Sequence, residues 1–149
     1  MHWLAGGWGI DFALGKITRR HEDIDFAIWK DDWLRAEDLL LNNGFARREN
    51  NFPEETGKIL KMECEIEFYL LRKTIDGEII IGGRWADWPF AEGSFGNTLG
   101  LLEEFECPII RLQGQIDSKE QWAKQKHGSP LRDQDIADIE LLTKRLLRP

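Results

Sequence analysis

Two aspartates separated by one residue are the first candidates for chemistry in this sequence. Asp23 and Asp25 lie in segment 23–29, whose apolar residues alternate with period two and so predict a β-strand. On a strand, residues i and i+2 share a face and lie roughly 6–7 Å apart. Two carboxylates this close repel each other unless a cation or water lies between them, and Mg²⁺ prefers oxygen ligands. The pair therefore predicts a divalent-metal site; a solvated strand face is the alternative.

A third carboxylate for this site comes from segment 62–71, which alternates in the same way. Glu63, Glu65 and Glu67 share one face of that predicted strand, opposite apolar residues. Sites with two metal ions hold the ions about 3.5–4 Å apart, which takes carboxylates from more than one strand. The hypothesis is that one of these glutamates completes a triad with the two aspartates, and Glu63 is interpreted as a surface acid.

A glycine pair precedes the aspartates. Gly6 and Gly7 follow a predicted strand at 1–5 and precede a predicted short helix at 10–14. Glycines at such a turn let backbone N–H groups approach a phosphate closely. The pattern is not a dinucleotide-binding fingerprint, because Phe12 stands where the third glycine belongs, and the sequence has no Gly-Lys-Ser/Thr of a P-loop.

The elements that must position these residues alternate between strand and helix and then continue as a hairpin. Asp76-Gly77 is a hairpin turn signal after the third long strand, so a mixed sheet is expected within one α and β domain. The predicted strands are 1–5, 23–29, 45–50, 62–71, 78–81 and 107–112, and the predicted helices are 10–14, 33–42 capped by Asp31 or Asp32, one capped by Ser118, and one beginning at Asp133 or Asp135.

Composition excludes several classes of function. The chain has 149 residues, 42% of them hydrophobic, enough for one domain with a sizeable core. The net charge of −7 disfavours nucleic acid and membrane surfaces as partners, because both are polyanions. The apolar runs are too short for a membrane span, and no signal peptide or disulfide framework is evident. A cytoplasmic protein is therefore expected.

Three segments close in sequence carry a resemblance to a known family. They are Gly6-Gly7-Trp8-Gly9-Ile10-Asp11, Leu14-Gly15-Lys16, and Thr18-Arg19-Arg20-His21-Glu22-Asp23-Ile24-Asp25. The chain here resembles the aminoglycoside adenylyltransferase and lincosamide nucleotidyltransferase domain of the polymerase-beta-like nucleotidyltransferase superfamily. Lys126-His127, Arg132-Asp133 and Asp138 are similar to the family's closing segment more loosely.

The resemblance implies an α+β nucleotidyltransferase (polymerase-beta-like) fold, a mixed sheet flanked by helices. Residues 1–149 would form a single domain that lacks the family's N-terminal helix, and a flank left bare in this way would favour a homodimer. The implied activity is Mg²⁺-dependent transfer of a nucleoside monophosphate from an NTP such as ATP to a hydroxyl of a small molecule, with release of pyrophosphate. The acceptor would be aminoglycoside- or lincosamide-like. The alternative is a non-catalytic nucleotide-binding or interaction protein of the same fold.

The resemblance also implies roles for individual residues. Asp23 and Asp25 would hold two Mg²⁺ ions, with Glu67 as the third metal ligand or general base and Glu65 as the alternative. The triphosphate and its loop would involve Gly6, Gly7, Arg19, His21 and Lys16. For Arg19 and Lys16 the alternative is a solvated loop charge, and for His21 it is a structural cap of the loop.

Overall fold

The computed structural model describes residues 1–125 and 130–147. Eight strands, four helices and one 3₁₀ turn at Gly83–Trp85 are found in these ranges. The strands are β1 His2–Leu4, β2 Asp23–Trp29, β3 Ala46–Arg47, β4 Thr56–Lys61, β5 Cys64–Lys73, β6 Ile79–Ile81, β7 Leu99–Leu102 and β8 Phe105–Pro108; the helices are α1 Gly6–Leu14, α2 Lys30–Asn42, α3 Leu112–Gln125 and α4 Asp133–Leu146.

A six-stranded sheet organises the domain. Its strands follow the order β1-β2-β5-β4-β3, and β6 pairs with the end of β5. Strands β2 and β5 run parallel, whereas the other pairings are antiparallel. The expected mixed sheet is confirmed. Strands β7 and β8 form a separate two-stranded hairpin.

Both faces of the sheet are covered, because alternate residues of its central strands are buried on opposite sides. On one side Ile28 and Phe68 pack with Trp33 of α2. On the other side Ala27 and Leu71 pack with the residues around Trp3 and Ile110. A third cluster joins α1, α3 and α4 through Ile10, Ile116 and Leu142.

Several predicted boundaries are wrong at their ends. The first helix begins at Gly6 instead of residue 10, so the glycine pair forms its first turn. Asp31 and Asp32 lie inside the first turn of α2 and do not cap it. The predicted strand 45–50 is reduced to Ala46–Arg47, and β4 was missed entirely.

The region before α3 also differs from the prediction. The expected strand at 107–112 ends at Pro108, which has no N–H to continue a ladder, and α3 begins at Leu112. Ser118 lies within this helix, where its hydroxyl donates to the carbonyl of Gly114, so it is not a cap. Helix α4 does begin at Asp133. None of the helices described is long and apolar enough to cross a bilayer.

Candidate active site

The parallel pairing of β2 with β5 places the candidate carboxylates side by side. Asp23 lies opposite Glu65, and Asp25 lies opposite Glu67. Paired residues of neighbouring strands point to the same face, so all four carboxylates share one surface. Glu63, in contrast, lies in the turn between β4 and β5 and is exposed, as expected of a surface acid, although not as part of the strand.

Repulsion and burial both act on Asp25. Burial, first, and the nearby charges of Asp23 and Glu67 raise the pKa of its carboxyl to about 6. The Tyr69 hydroxyl donates a hydrogen bond of 3.2 Å to Oδ1 of Asp25 and acts in the opposite direction. The Lys119 ammonium also lowers this pKa, and Lys119 of α3 lines the same cleft as Asp25.

Glu65 and Glu67 differ in their surroundings. Glu65 forms ion pairs with Arg48 and with Lys58, the latter at 3.3 Å. The Lys58 ammonium also lies 3.4 Å from Glu67. Glu67 lines the same cleft as the two aspartates, whereas Glu65 lies outside its lining.

A divalent cation fits the chemistry of this donor set. Asp23, Asp25 and Glu67 offer hard oxygen ligands whose repulsion a cation would relieve. Within residues 1–125 and 130–147, however, no three His, Cys, Asp or Glu side chains already converge as a metal-binding cluster. The carboxylates are thus neighbours on one face and not a closed coordination shell.

The carboxylates form one wall of a cleft of about 630 Å³. The glycine turn, Arg19 and side chains of α3 and α4 also line it. Its apolar lining residues include Ile81, Trp85, Trp88 and Phe90. A cleft with carboxylates, backbone N–H groups and cations is suited to binding a polyanion together with divalent ions.

Both glycines of the turn are required by close neighbours. Gly6 has a φ of +57°, and a Cβ there would lie 2.2 Å from Oδ2 of Asp25. A Cβ on Gly7 would lie 2.2 Å from Nδ1 of His21 and 2.7 Å from the Arg19 guanidinium. The first turn of α1 therefore packs against Asp25 and against the loop that follows α1. The N–H groups of a helix's first turn have no partner within the helix and are available to an anion.

Asp11 braces the loop that leads to the carboxylates. It is fully buried and accepts hydrogen bonds from the Thr18 backbone N–H at 3.0 Å and the Thr18 hydroxyl at 2.5 Å. Its other oxygen lies 2.6 Å from Nε2 of His21, whose side chain is only 3% exposed. His21 also packs against the Trp8 ring. These contacts tie His21 to the loop as a structural support, although it lines the cleft.

The two basic residues predicted for the loop occupy different places. Arg19 lines the cleft and donates to Asp138 of α4 at 3.5 Å. Lys16 is exposed and outside the cleft lining, so the structure does not bring it to the site. Lys126 and His127 lie outside the described residues.

Sequence reasoning missed Lys119, and it gave Arg132 no role beyond its place in the segment that resembles the family's closing segment. Lys119 and Arg132 line the cleft and pair with the buried Asp135 of α4. The available signal was the placement of Asp135 and Asp138 one helical turn apart, close to the apolar face of the last helix, where charged residues are seldom buried without partners.

Comparison with known proteins identifies the relatives of this chain. Curated 2''-aminoglycoside nucleotidyltransferases from Escherichia coli and Klebsiella pneumoniae are 61% identical to it over 23 residues. That segment spans 15% of this chain and only 13% of each relative.

Two solved structures share the fold over 97% of the chain. The lincosamide antibiotic adenylyltransferase LnuA, solved with lincomycin bound, has a TM-score of 0.71 and 21% identity, and 87% of that chain is covered. ANT(2'')-Ia, solved in complex with adenylyl-2''-tobramycin, has a TM-score of 0.74 and 18% identity, with 79% of it covered. At identities this low, the structural similarity establishes the shared nucleotidyltransferase fold and nothing beyond it. The family model for aminoglycoside-2''-adenylyltransferase matches residues 1–142, and the chain belongs to that family.

Proposed function

We propose that this protein is a Mg²⁺-dependent nucleotidyltransferase that moves a nucleoside monophosphate from an NTP to a hydroxyl of a small-molecule antibiotic and releases pyrophosphate. One observation carries the proposal: the register of β2 with β5 brings Asp25 beside Glu67, and both line one cleft together with Asp23 and the glycine turn. Membership of an adenylyltransferase family supports ATP as the nucleotide.

Asp23, Asp25 and Glu67 would hold the divalent ions, which when bound neutralise the triphosphate and favour in-line attack. The first turn of α1 binds phosphate oxygens through its backbone N–H groups, and Arg19 adds positive charge beside it. One of these three carboxylates accepts the proton of the acceptor hydroxyl. The acceptor oxygen then forms a bond to the α-phosphorus, the bond to the bridging oxygen of the β-phosphate breaks, and pyrophosphate leaves with that electron pair.

The acceptor is proposed to be an aminoglycoside or a lincosamide. The structural relatives were solved with lincomycin and with adenylylated tobramycin, respectively. The chain's net charge of −7 suits a cationic or neutral acceptor better than a polyanion. Nucleic acid is therefore not the expected acceptor, because a basic track would be needed to bind it.

A pyrophosphate-release screen tests the proposal. Each NTP is incubated with Mg²⁺ and, in turn, with tobramycin, lincomycin or no acceptor. We expect release that needs both an acceptor and the metal, and that stops when the metal is chelated. Release that is absent with every nucleotide and acceptor, from a protein that nevertheless binds Mg²⁺ and NTP, would favour a non-catalytic nucleotide-binding protein.

A further inference from the structure

An ionic cluster in the lining of the cleft joins α3, α4 and the loop after α1. Two buried carboxylates, those of Asp135 and Asp138, each 2% exposed as residues, are shared by three basic side chains. Asp135 accepts from Arg132 at 2.6 and 3.1 Å. Asp138 accepts from Arg19 at 3.5 Å. Lys119 of α3 reaches both carboxylates at 2.9 Å.

The cluster has three basic side chains for two carboxylates, one positive charge more than is needed to balance them. Each buried carboxylate already has a guanidinium partner, so the Lys119 ammonium is the additional charge. An ammonium has three N–H donors, and the two carboxylates engage two of them. The Lys119 side chain is 14% exposed, and the residue lines the cleft.

We propose that Lys119 is a triphosphate-binding residue and that Asp135 and Asp138 are positioning residues that hold its ammonium at the cleft wall. The inference rests on the proposed function, which makes an NTP the ligand of this cleft. The carboxylates repel phosphates, so basic side chains elsewhere in the cleft lining favour triphosphate binding in addition to the metal ions. Two short contacts already order the Lys119 side chain. Its third N–H can therefore bind a phosphate without the entropy cost of ordering a long side chain on binding.

Direct binding of ATP and adenosine in the presence of Mg²⁺ tests Lys119. Lys119→Met is expected to weaken ATP binding by about 10–100-fold, the range of one hydrogen bond to a charged group. Adenosine binding should be unchanged, because adenosine has no phosphate. Lys124→Met is the matched control, since Lys124 is exposed on the same helix and lies outside the cleft lining. Melting midpoints verify that each variant is folded.

A second variant tests the positioning role. Asp138→Asn keeps the shape of the side chain but removes the charge of one of the two carboxylates that hold the ammonium. The KM for ATP should therefore rise while the KM for the acceptor stays constant. In the double variant with Lys119→Met, the loss should be clearly smaller than the product of the single losses, because the two residues act as a unit. Glu140→Gln, an exposed change on the same helix, is the control.

The failures of the two proposals are distinguishable. If the wild-type protein binds no NTP with Mg²⁺, the proposed function fails and this inference fails with it. If the wild type binds ATP and Lys119→Met binds it equally tightly, the inference alone is overturned. The same holds if Lys119→Met and Asp138→Asn lose ATP binding and adenosine binding to the same extent, because Lys119 is then a structural residue. Independent losses in the double variant would overturn the positioning role of Asp138.

Discussion

At the scale of single residues, the site depends on carboxylates that the fold forces together. Asp25 has a charged neighbour along its own strand and another across the strand pair, and it is largely buried. Such an arrangement destabilises the protein on its own and is relieved by a cation. The residues proposed to hold the metal therefore destabilise the fold when no cation is bound.

The choice between the candidate third acids gives a direct residue-scale prediction. Glu67→Gln should reduce nucleotidyl transfer by at least about a hundredfold, because metal ions contribute several kcal/mol and each ~1.4 kcal/mol is tenfold. Glu63→Gln, which changes an exposed acid of the preceding turn, should have no effect. Rates of pyrophosphate release measure this. If Glu65→Gln released no pyrophosphate and Glu67→Gln were fully active, the third acid would be Glu65.

The raised pKa of Asp25 predicts how stability depends on pH. Its folded-state pKa of about 6 exceeds the ordinary value of 3.8, so the folded state binds this proton more tightly than the unfolded state. This contribution to stability is fully present below about pH 4 and is lost as the pH rises through 6. The loss amounts to roughly 3 kcal/mol at most.

Urea unfolding with EDTA between about pH 4 and pH 7.5 measures this effect. Asp25→Asn has no such proton to lose, so its free energy of unfolding should exceed that of the wild type by more at the upper end of this range than at the lower end. Parallel pH profiles for the two proteins would contradict the burial and repulsion assigned to Asp25.

At the scale of elements, α1 and the loop after it are the proposed phosphate-binding elements, and they lie beside the carboxylates. A Cβ at position 7 would clash with the side chains of His21 and Arg19, which are held in place by Asp11 and Asp138. Gly7→Ala should therefore weaken NTP binding at least about tenfold by displacing Arg19 or the helix terminus. Gly96→Ala, where a Cβ meets nothing within 4 Å, is the control. Equal NTP affinities of both variants would show that the turn does not contact phosphate.

The elements also show what sequence alone can predict. Strand β2 is predicted with both ends correct, because its alternation is regular and ends at a polar helix start. Strand β4 is missed because it contains Gly57, Lys58 and Lys61, which give no strand pattern. Gly57 is required there because a Cβ at this position would lie 2.2 Å from the Trp33 ring. This tertiary contact is invisible in the local sequence.

The candidate site was predictable to a similar extent. The carboxylate triad follows from two strand patterns and a resemblance, and the structure brings its members into one cleft. The preference for Glu67 over Glu65 came from the resemblance, because spacing alone does not separate the two. Their different neighbours, such as Arg48 beside Glu65, are visible only in the structure. Lys119 was not predicted, because its partners come from another helix.

At the scale of the whole molecule, ligand binding should stabilise the fold. An NTP with Mg²⁺ at about 100 times its dissociation constant is expected to add about 2.7 kcal/mol to the free energy of unfolding. Thermal melts with NTP and Mg²⁺, with NTP and EDTA, and with neither measure the effect. The largest shift should require both components. Identical midpoints at saturating concentrations would count against the entire site.

The central claim is that Asp23 and Asp25 hold the metal for nucleotidyl transfer. Its most direct test is the transfer of label from α-³²P-ATP to tobramycin and lincomycin by the wild type, Asp23→Asn and Asp25→Asn. We expect a labelled acceptor with the wild type, and transfer at least about a hundredfold slower with either folded variant. Full transfer by both variants would contradict the claim.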